Sequence, residues 1–236
     1  MIVSRIDGGL GNQLFQAAFG LQLARTHDTE LVLDLSSYQD RPAHGYLLDQ
    51  LDFNARHLQA HERRRLPRRY RMGTKSSRRS ISNWLTNRPL KRIRERPFGF
   101  AEKHLRARDN SYLVGYWQSE RYFPDVHDEI RGSFRPRVPL SPSSQRLRER
   151  MQATPSLALH VRRGDYLSNR QSAAIYVNLS LDYYRQCVAM HLAARPEAEV
   201  YVFSNDLAWC HQHLALPCPV HLSSNPPAFR LSRIFG

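Results

Sequence analysis

A chain of 236 residues that is 41% hydrophobic has enough apolar material for one large or two small packed domains, which excludes a disordered polymer. It holds no run near the roughly 18 apolar residues of a membrane-spanning helix, since the best stretch, Leu14 to Ala24, is broken by Gln16, Gly20 and Gln22. The net charge of +14 is concentrated, because residues 63–108 carry 17 Lys/Arg against Glu95 and Glu102 while the rest of the chain carries 18 basic and 19 acidic groups, so the chain is a near-neutral protein with one basic insert.

The N-terminus reads "MIVSRI", "DGGLGNQ", "LFQAAFGLQLARTH", "ELVLDL": strand, glycine turn, amphipathic helix, strand. Leu14, Phe15, Ala18, Leu21 and Leu23 suit a helix laid on a sheet. No basic segment precedes an apolar one here, so no signal peptide is expected and cytoplasmic residence is the default. Residues 41–60 are mixed and predict a loop with short elements. The basic segment 61–110, with "ISNWL" and "RPFGF" as its apolar islands, predicts short helices and loops. "SYLVGYWQSERYF" at 111–123 predicts a strand and then a helix start, and "DVHDEIRGSF" a short helix. "RPRVPLSPS" at 135–143, with three prolines and two serines, is the best linker in the chain.

Beyond it a second alternating block begins. Helix "SQRLRERM" leads to strand "SLALHV", turn "RRGDY", helix "SLDYYRQCVAMHLAAR", strand "EVYVFSND", helix "LAWCHQHL" and strand "PVHLS". The expectation is an α/β protein of two blocks, 1–134 and 144–236, with a cleft between them. Cys187, Cys210 and Cys218 form no C-x-x-C pair and are read as small core residues rather than a disulfide or zinc framework.

Two turns carry chemistry. In "DGGLGNQ" the glycines stand at a helix start, where backbone N–H groups favour anions. The third glycine of the dinucleotide fingerprint is absent, as is the G-K-[ST] of a P-loop. A tight turn needing positive φ and a ligand-lining loop with Asn12 as donor and acceptor are both open. In "HVRRGDY", at 160–166, Arg162 and Arg163 follow directly on a strand. Arginine forks match phosphate oxygens, and the carboxyl end of a parallel strand is where α/β folds bind ligands. A pyrophosphate is the natural target, and pairing of both arginines with Asp165 or other carboxylates is the rival. No H-E-x-x-H and no Asp-x-Asp occur, so any departing diphosphate must be stabilised by arginines and helix starts without metal.

Five segments in order, "GGLGNQLFQAAFG", "GYWQSERYF", "HVRRGDY", "NLSLDYYRQC" and "YVFSNDLAWC", resemble the bacterial α-1,2-fucosyltransferases of glycosyltransferase family 11 across about residues 1–222. The resemblance implies a GT-B-like fold of two Rossmann-like domains facing a cleft, the acceptor on the N-terminal side and the donor on the C-terminal side. It implies GDP-β-L-fucose as donor, a β-galactoside as acceptor, inversion at the anomeric carbon, and no metal or other cofactor. Arg162 and Arg163 then hold the GDP pyrophosphate. His160 and Asp165 match the motif ends and are the candidate catalytic pair, and Ser204 and Asp206 border the donor pocket. Gly9, Gly11 and Asn12 line the cleft from the other domain. Trp117 is the candidate acceptor-binding ring, with core packing as its other reading; Tyr116 shares both.

The resemblance also carries a departure. Family members continue past this point with an acidic-Leu segment, a Cys-x-His element and an "NSTFSWW"-like motif, whereas this sequence reads "HLSSNPPAFRLSRIFG" and stops. The expectation is a C-terminally truncated protein with an incomplete donor domain. A catalytically silent remnant that retains partial nucleotide or glycan binding is the alternative to an active transferase. A nucleic-acid-binding module is less favoured, because the basic segment lacks regular aromatic interleaving. The segment is read instead as a solvated insert of the acceptor-side domain, with peripheral contact with anionic membrane at its cytoplasmic face as a further use of its charge.

Overall fold

The computed structural model describes residues 1–38, 45–71, 89–95, 99–163 and 179–223. The chain divides into two compact units at Pro139/Leu140. Both are α/β with wholly parallel sheets, the fold class expected from the sequence.

In the first unit, strands β1 (Ile2–Arg5) and β2 (Leu31–Asp34) pair in parallel in the register Ile2↔Leu31. A parallel pair needs a crossover, and helix α1 (Leu10–Thr26) supplies it. Three more strands complete the sheet: β3 (Arg56–His57), β4 (Lys91–Arg94) and β5 (Ser111–Val114). Their order is β3-β2-β1-β5-β4. From β1 the chain builds outward to β2 and β3 on one side; β5 and β4 lie on the other. The switch point therefore falls between β1 and β5.

α1 is buried nearly all round rather than along one stripe, including Gln13, Gln16 and Gln22. Buried amides need partners, and each glutamine finds them. Gln13 donates to Gly8 O and Gly45 O and accepts from Leu47 N. Gln16 accepts from Asp7 N and donates to Gly115 O. Gln22 donates to Asp125 Oδ2 and accepts from Asp125 N. Both faces of the sheet are covered, as a parallel sheet requires. One packs Ile2, Leu33 and Leu113 against Phe19 and Leu23 of α1 with Trp117 and Tyr122. The other packs Val3, Val32 and Tyr112 against Leu58, Leu66 and Leu90. The basic segment thus contributes apolar plugs to the core, while Lys91, Arg92 and Arg94 of β4 are exposed.

β3 and β4 were not expected. "KRIR" has no apolar alternation beyond Ile93, and only strand pairing with β5 makes it a strand. In "SYLVGYWQSERYF" the strand ends at Val114, and a single 3-10 turn, Glu120–Tyr122, stands where a helix start was expected. The linker is also shorter than its prolines suggest. Asp52 N donates to Arg135 O and Arg137 N to Gln50 O, so 135–137 belong to the first unit, next to helix α2 (His127–Ser133). Ser141 then caps helix α3 (Pro142–Ala153), with Pro142 in its first turn.

In the second unit β6 (Ser156–Val161), β7 (Glu199–Ser204) and β8 (Val220–Leu222) lie in that order. Helices α4 (Leu181–Ala194) and α5 (Leu207–His213) cover one face, where Leu159, Val161, Val200 and Val202 meet Tyr184, Val188, Cys210 and Leu214. Cys210 is buried and Cys218 partly so, but Cys187 lies exposed on α4, which corrects its reading as a core residue.

Candidate functional site

The register of β6 on β7 places Val161 beside Ser204. Arg162 and Arg163 therefore leave the sheet next to Ser204, Asn205 and Asp206. The two strand ends are tied together, since Arg163 N donates to Asn205 Oδ1 at 2.9 Å. Asp206 caps α5 by accepting from Trp209 N through Oδ1, and its own N–H donates to Ser204 Oγ. Its Oδ2 lies 3.5 Å from Arg163 Nε, and the Arg163 guanidinium lies over the Trp209 ring, 3.8 Å from its centre. Arg163 is thus held on one face by an indole and along one edge by a carboxylate, while its terminal nitrogens donate to nothing among the described residues.

His160, Arg162, Arg163, Ser204 and Asp206 are thereby gathered at one sheet edge. Arg162 is exposed, and His160 is exposed on β6 in register with Phe203. The rival carboxylate pairing holds for Arg163, through Asp206. Asp165 lies outside the described residues.

In the first unit the carboxyl ends of β1, β4 and β5 frame a cavity of about 220 Å³, lined by Arg5, Asp7, Arg94, Glu95, Gly115 and Tyr116, with Gln16 at its wall. It lies at the switch point, where open α/β sheets bind ligands. Glu95 shapes it. Its Oε2 accepts the N–H of Tyr116 at 2.7 Å and of Trp117 at 3.0 Å, holding Trp117 at φ 56°. A Cβ at position 115 would stand 2.5 Å from Glu95 Cβ, so only glycine fits. The Asp7 N–H is bonded to Gln16, but the Asp7 carboxylate makes no hydrogen bond among the described residues. Burial, and then the Asp7 charge, push the Tyr38 hydroxyl above the ordinary tyrosine value.

Trp117 does not offer a ring to a ligand. It is fully buried, 4.6 Å from Phe19 and 5.4 Å from Tyr122 between ring centres, which corrects its acceptor-binding reading in favour of core packing. Tyr116 lines the cavity instead. Gly9, Gly11 and Asn12 are not among the residues lining it. Gly9 caps α1 with its backbone, and Asn12 Oδ1 accepts from Gln118 Nε2. The glycine of this turn that requires positive φ is Gly8, at 80°.

Glu95, Asp7 and Gln16 were given no role from sequence. The available signal was slight: one of two acids among 17 cations, and an acid directly before the glycine pair. Among the described residues no helix is long and apolar enough to cross a membrane, and no group of three His, Cys, Asp or Glu is placed to hold a metal ion.

The model of the family described as Glycosyl transferase family 11 matches residues 1–228. The chain is 27% identical over 219 residues to an Escherichia coli protein named alpha-1,2-colitosyltransferase, covering 90% of this chain and 71% of that one. It is 33% identical over 58 residues to the Escherichia coli O-antigen biosynthesis glycosyltransferase WbnK, covering 25% of this chain and 19% of that one. Among solved structures, a NodZ alpha-1,6-fucosyltransferase soaked with GDP-fucose aligns with a TM-score of 0.46 at 15% identity, over 95% of this chain and 77% of that one. Fucosyltransferase NodZ from Bradyrhizobium aligns at 0.43 and 13%, over 95% and 78%.

Proposed function

The chain belongs to glycosyl transferase family 11, and from that premise we propose that it transfers L-fucose from GDP-β-L-fucose to the 2-hydroxyl of a β-galactoside, with inversion at the anomeric carbon. The observation that carries this reading is the pair Arg162–Arg163 at the β6 end beside Ser204 and Asp206 at the β7 end, with Arg163 fixed in advance by Trp209.

The acceptor oxygen attacks the anomeric carbon while the bond from that carbon to the β-phosphate oxygen breaks. GDP leaves with the electron pair, and the hydroxyl proton passes to a base or to water. Negative charge grows on the departing diphosphate, where Arg162 and Arg163 meet it. Preorganised charge of this kind is worth about 10²–10³ in rate per contact. Stacking on Trp209 and pairing with Asp206 lower the cost of ordering the Arg163 side chain when the diphosphate binds.

The α-1,2 linkage draws support from the relative named alpha-1,2-colitosyltransferase. The same relative favours a second donor reading. Colitose is the 3-deoxy form of L-fucose, so the two donors differ by one hydroxyl. A site that hydrogen-bonds that hydroxyl rejects the deoxy donor by about 10⁴-fold, whereas a site without such a contact discriminates weakly.

Transfer from GDP-fucose and from GDP-linked colitose to a β-galactoside, measured side by side with GDP calorimetry, decides between them. Arg162→Ala should lower both transfer and GDP affinity; wild-type values for that variant would overturn the assignment. Asp165 and His160, at the motif ends, are proposed for proton transfer or loop geometry. Loss of the acid limb from the pH–rate profile in Asp165→Asn would identify Asp165 as the base.

A further inference from the structure

We infer that the cavity at the carboxyl ends of β1, β4 and β5 receives the terminal neutral sugar of the acceptor, and that Asp7 selects it by accepting hydrogen bonds from two adjacent hydroxyls. The inference rests on the glycosyl-transfer reading above and adds the group that reads the acceptor.

The lining has balanced charge. Arg5 and Arg94 share the lining of a cavity of about 220 Å³ with Asp7 and Glu95. A phosphate would gain from the arginines and lose to the carboxylates, whereas a polyhydroxylated neutral molecule uses both signs, donating to carboxylates and accepting from guanidinium groups. The volume is below the roughly 300–1,000 Å³ of sites for drug-sized ligands and suits a single pyranose ring.

Within this lining Glu95 and Gln16 are already committed. Glu95 Oε2 is taken by two backbone N–H groups. The Arg5 guanidinium lies 5.1 Å from the centre of the Tyr70 ring. Gln16 spends its amide on Asp7 N and Gly115 O. Of the two acids in the lining, Asp7 is the one whose carboxylate makes no hydrogen bond among the described residues. A carboxylate has two oxygens and accepts from a pair of neighbouring hydroxyls, which is how it distinguishes a sugar from an isolated alcohol.

A second polar atom beside the cavity is also unspent. Trp117 Nε1 is buried and has no hydrogen-bond partner among the described residues. Its neighbour Cε2 lies 2.9 Å from where a Gly115 Cβ would be, so the nitrogen-bearing edge of the indole adjoins a residue that lines the cavity. A buried donor without an acceptor is destabilising, and a ligand hydroxyl or bound water at Gly115 would relieve it. The diphosphate-binding arginines belong to the second unit, so the sugar assigned to the first is the acceptor's.

The test uses the full chain and the variants Asp7→Asn and Asp7→Ala. The side chain makes no hydrogen bond among the described residues, so both should melt with the wild type. Asp7→Ala should raise the acceptor KM by about 10- to 100-fold, with the KM for GDP-fucose and the calorimetric Kd for GDP unchanged. Asp7→Asn, which keeps the shape and loses the charge, should fall between. An acceptor lacking one of the two hydroxyls should bind wild type and Asp7→Ala alike. An unchanged acceptor KM, or a donor KM that rises instead, overturns the inference. Should wild type transfer no sugar, the transfer reading fails and methyl β-galactoside binding is measured directly. Binding to wild type that Asp7→Ala loses keeps the pocket assignment, and no binding to wild type removes it.

Discussion

The Arg163 guanidinium lies over the Trp209 indole, 3.8 Å from its centre, so a cation from the end of β6 is held in place by a ring on α5. Sequence alone offered two fates for Arg163, a ligand clamp or an internal ion pair. The structure shows the ion pair, with Asp206 as partner, and the terminal nitrogens donate to nothing among the described residues.

Trp209→Leu keeps apolar packing and removes the aromatic face. A cation–π contact contributes about 0.5–2 kcal/mol, so GDP affinity should weaken by about 3- to 30-fold in calorimetry. Unchanged affinity would mean that Arg163 does not contact the nucleotide.

Asp206 serves two roles that substitution can separate. Asp206→Asn retains the cap on Trp209 N and loses the charge beside Arg163. Its melting temperature should stay near wild type while GDP binding changes. Asp206→Ala loses the cap as well, costing about 0.5–2 kcal/mol in thermal unfolding. Equal melting of the two variants would show that the cap contributes little.

Gln22 is a buried clamp between α1 and Asp125, through two hydrogen bonds. Gln22→Leu leaves a backbone N–H and a carboxylate oxygen short of partners, which costs about 1–3 kcal/mol. The exposed Gln118 is the control, and Gln118→Ala should stay within about 0.5 kcal/mol. Comparable losses in the two variants would count against the clamp.

Arg56 binds Glu30 and Glu62, each through two hydrogen bonds of 2.6–2.8 Å. These bonds hold both carboxyls below the ordinary glutamate value. A lowered folded-state value means that the stabilisation is complete above the ordinary carboxylate pKa and is lost as pH falls through the lowered values. Arg56→Ala should therefore destabilise at pH 7 and flatten the acid limb of the stability curve. The effect should shrink in high salt, because the cluster is partly exposed. An acid limb identical to wild type would sink the account.

The βαβ start and the whole β6-to-β8 order were legible because their apolar periods are clean. β4 was not, since "KRIR" becomes a strand only through its ladder to β5. The glutamines of α1 were visible only as interruptions of an apolar run, yet they fasten the helix to three loops. At the site, the arginine pair was legible from charge at a strand end. The meeting of Asp7 and Glu95 at one cavity was not, because it depends on strands β1 and β4 ending side by side with β5, which nothing local encodes. Trp117 shows the converse: an aromatic in a plausible motif went to the core, where the pairing of Glu95 with its backbone fixes it.

The exposed cations of β4 have one more consequence. β4 is the outer strand of its sheet, and among the described residues no strand pairs with its far side. An open strand edge is a template on which a second copy of the same chain can add. In a copy that adds through its own β4, Lys91, Arg92 and Arg94 would meet the same three charges, and like charges set opposite one another repel. At this edge of the five described strands, the charge of the insert opposes addition of a second β4.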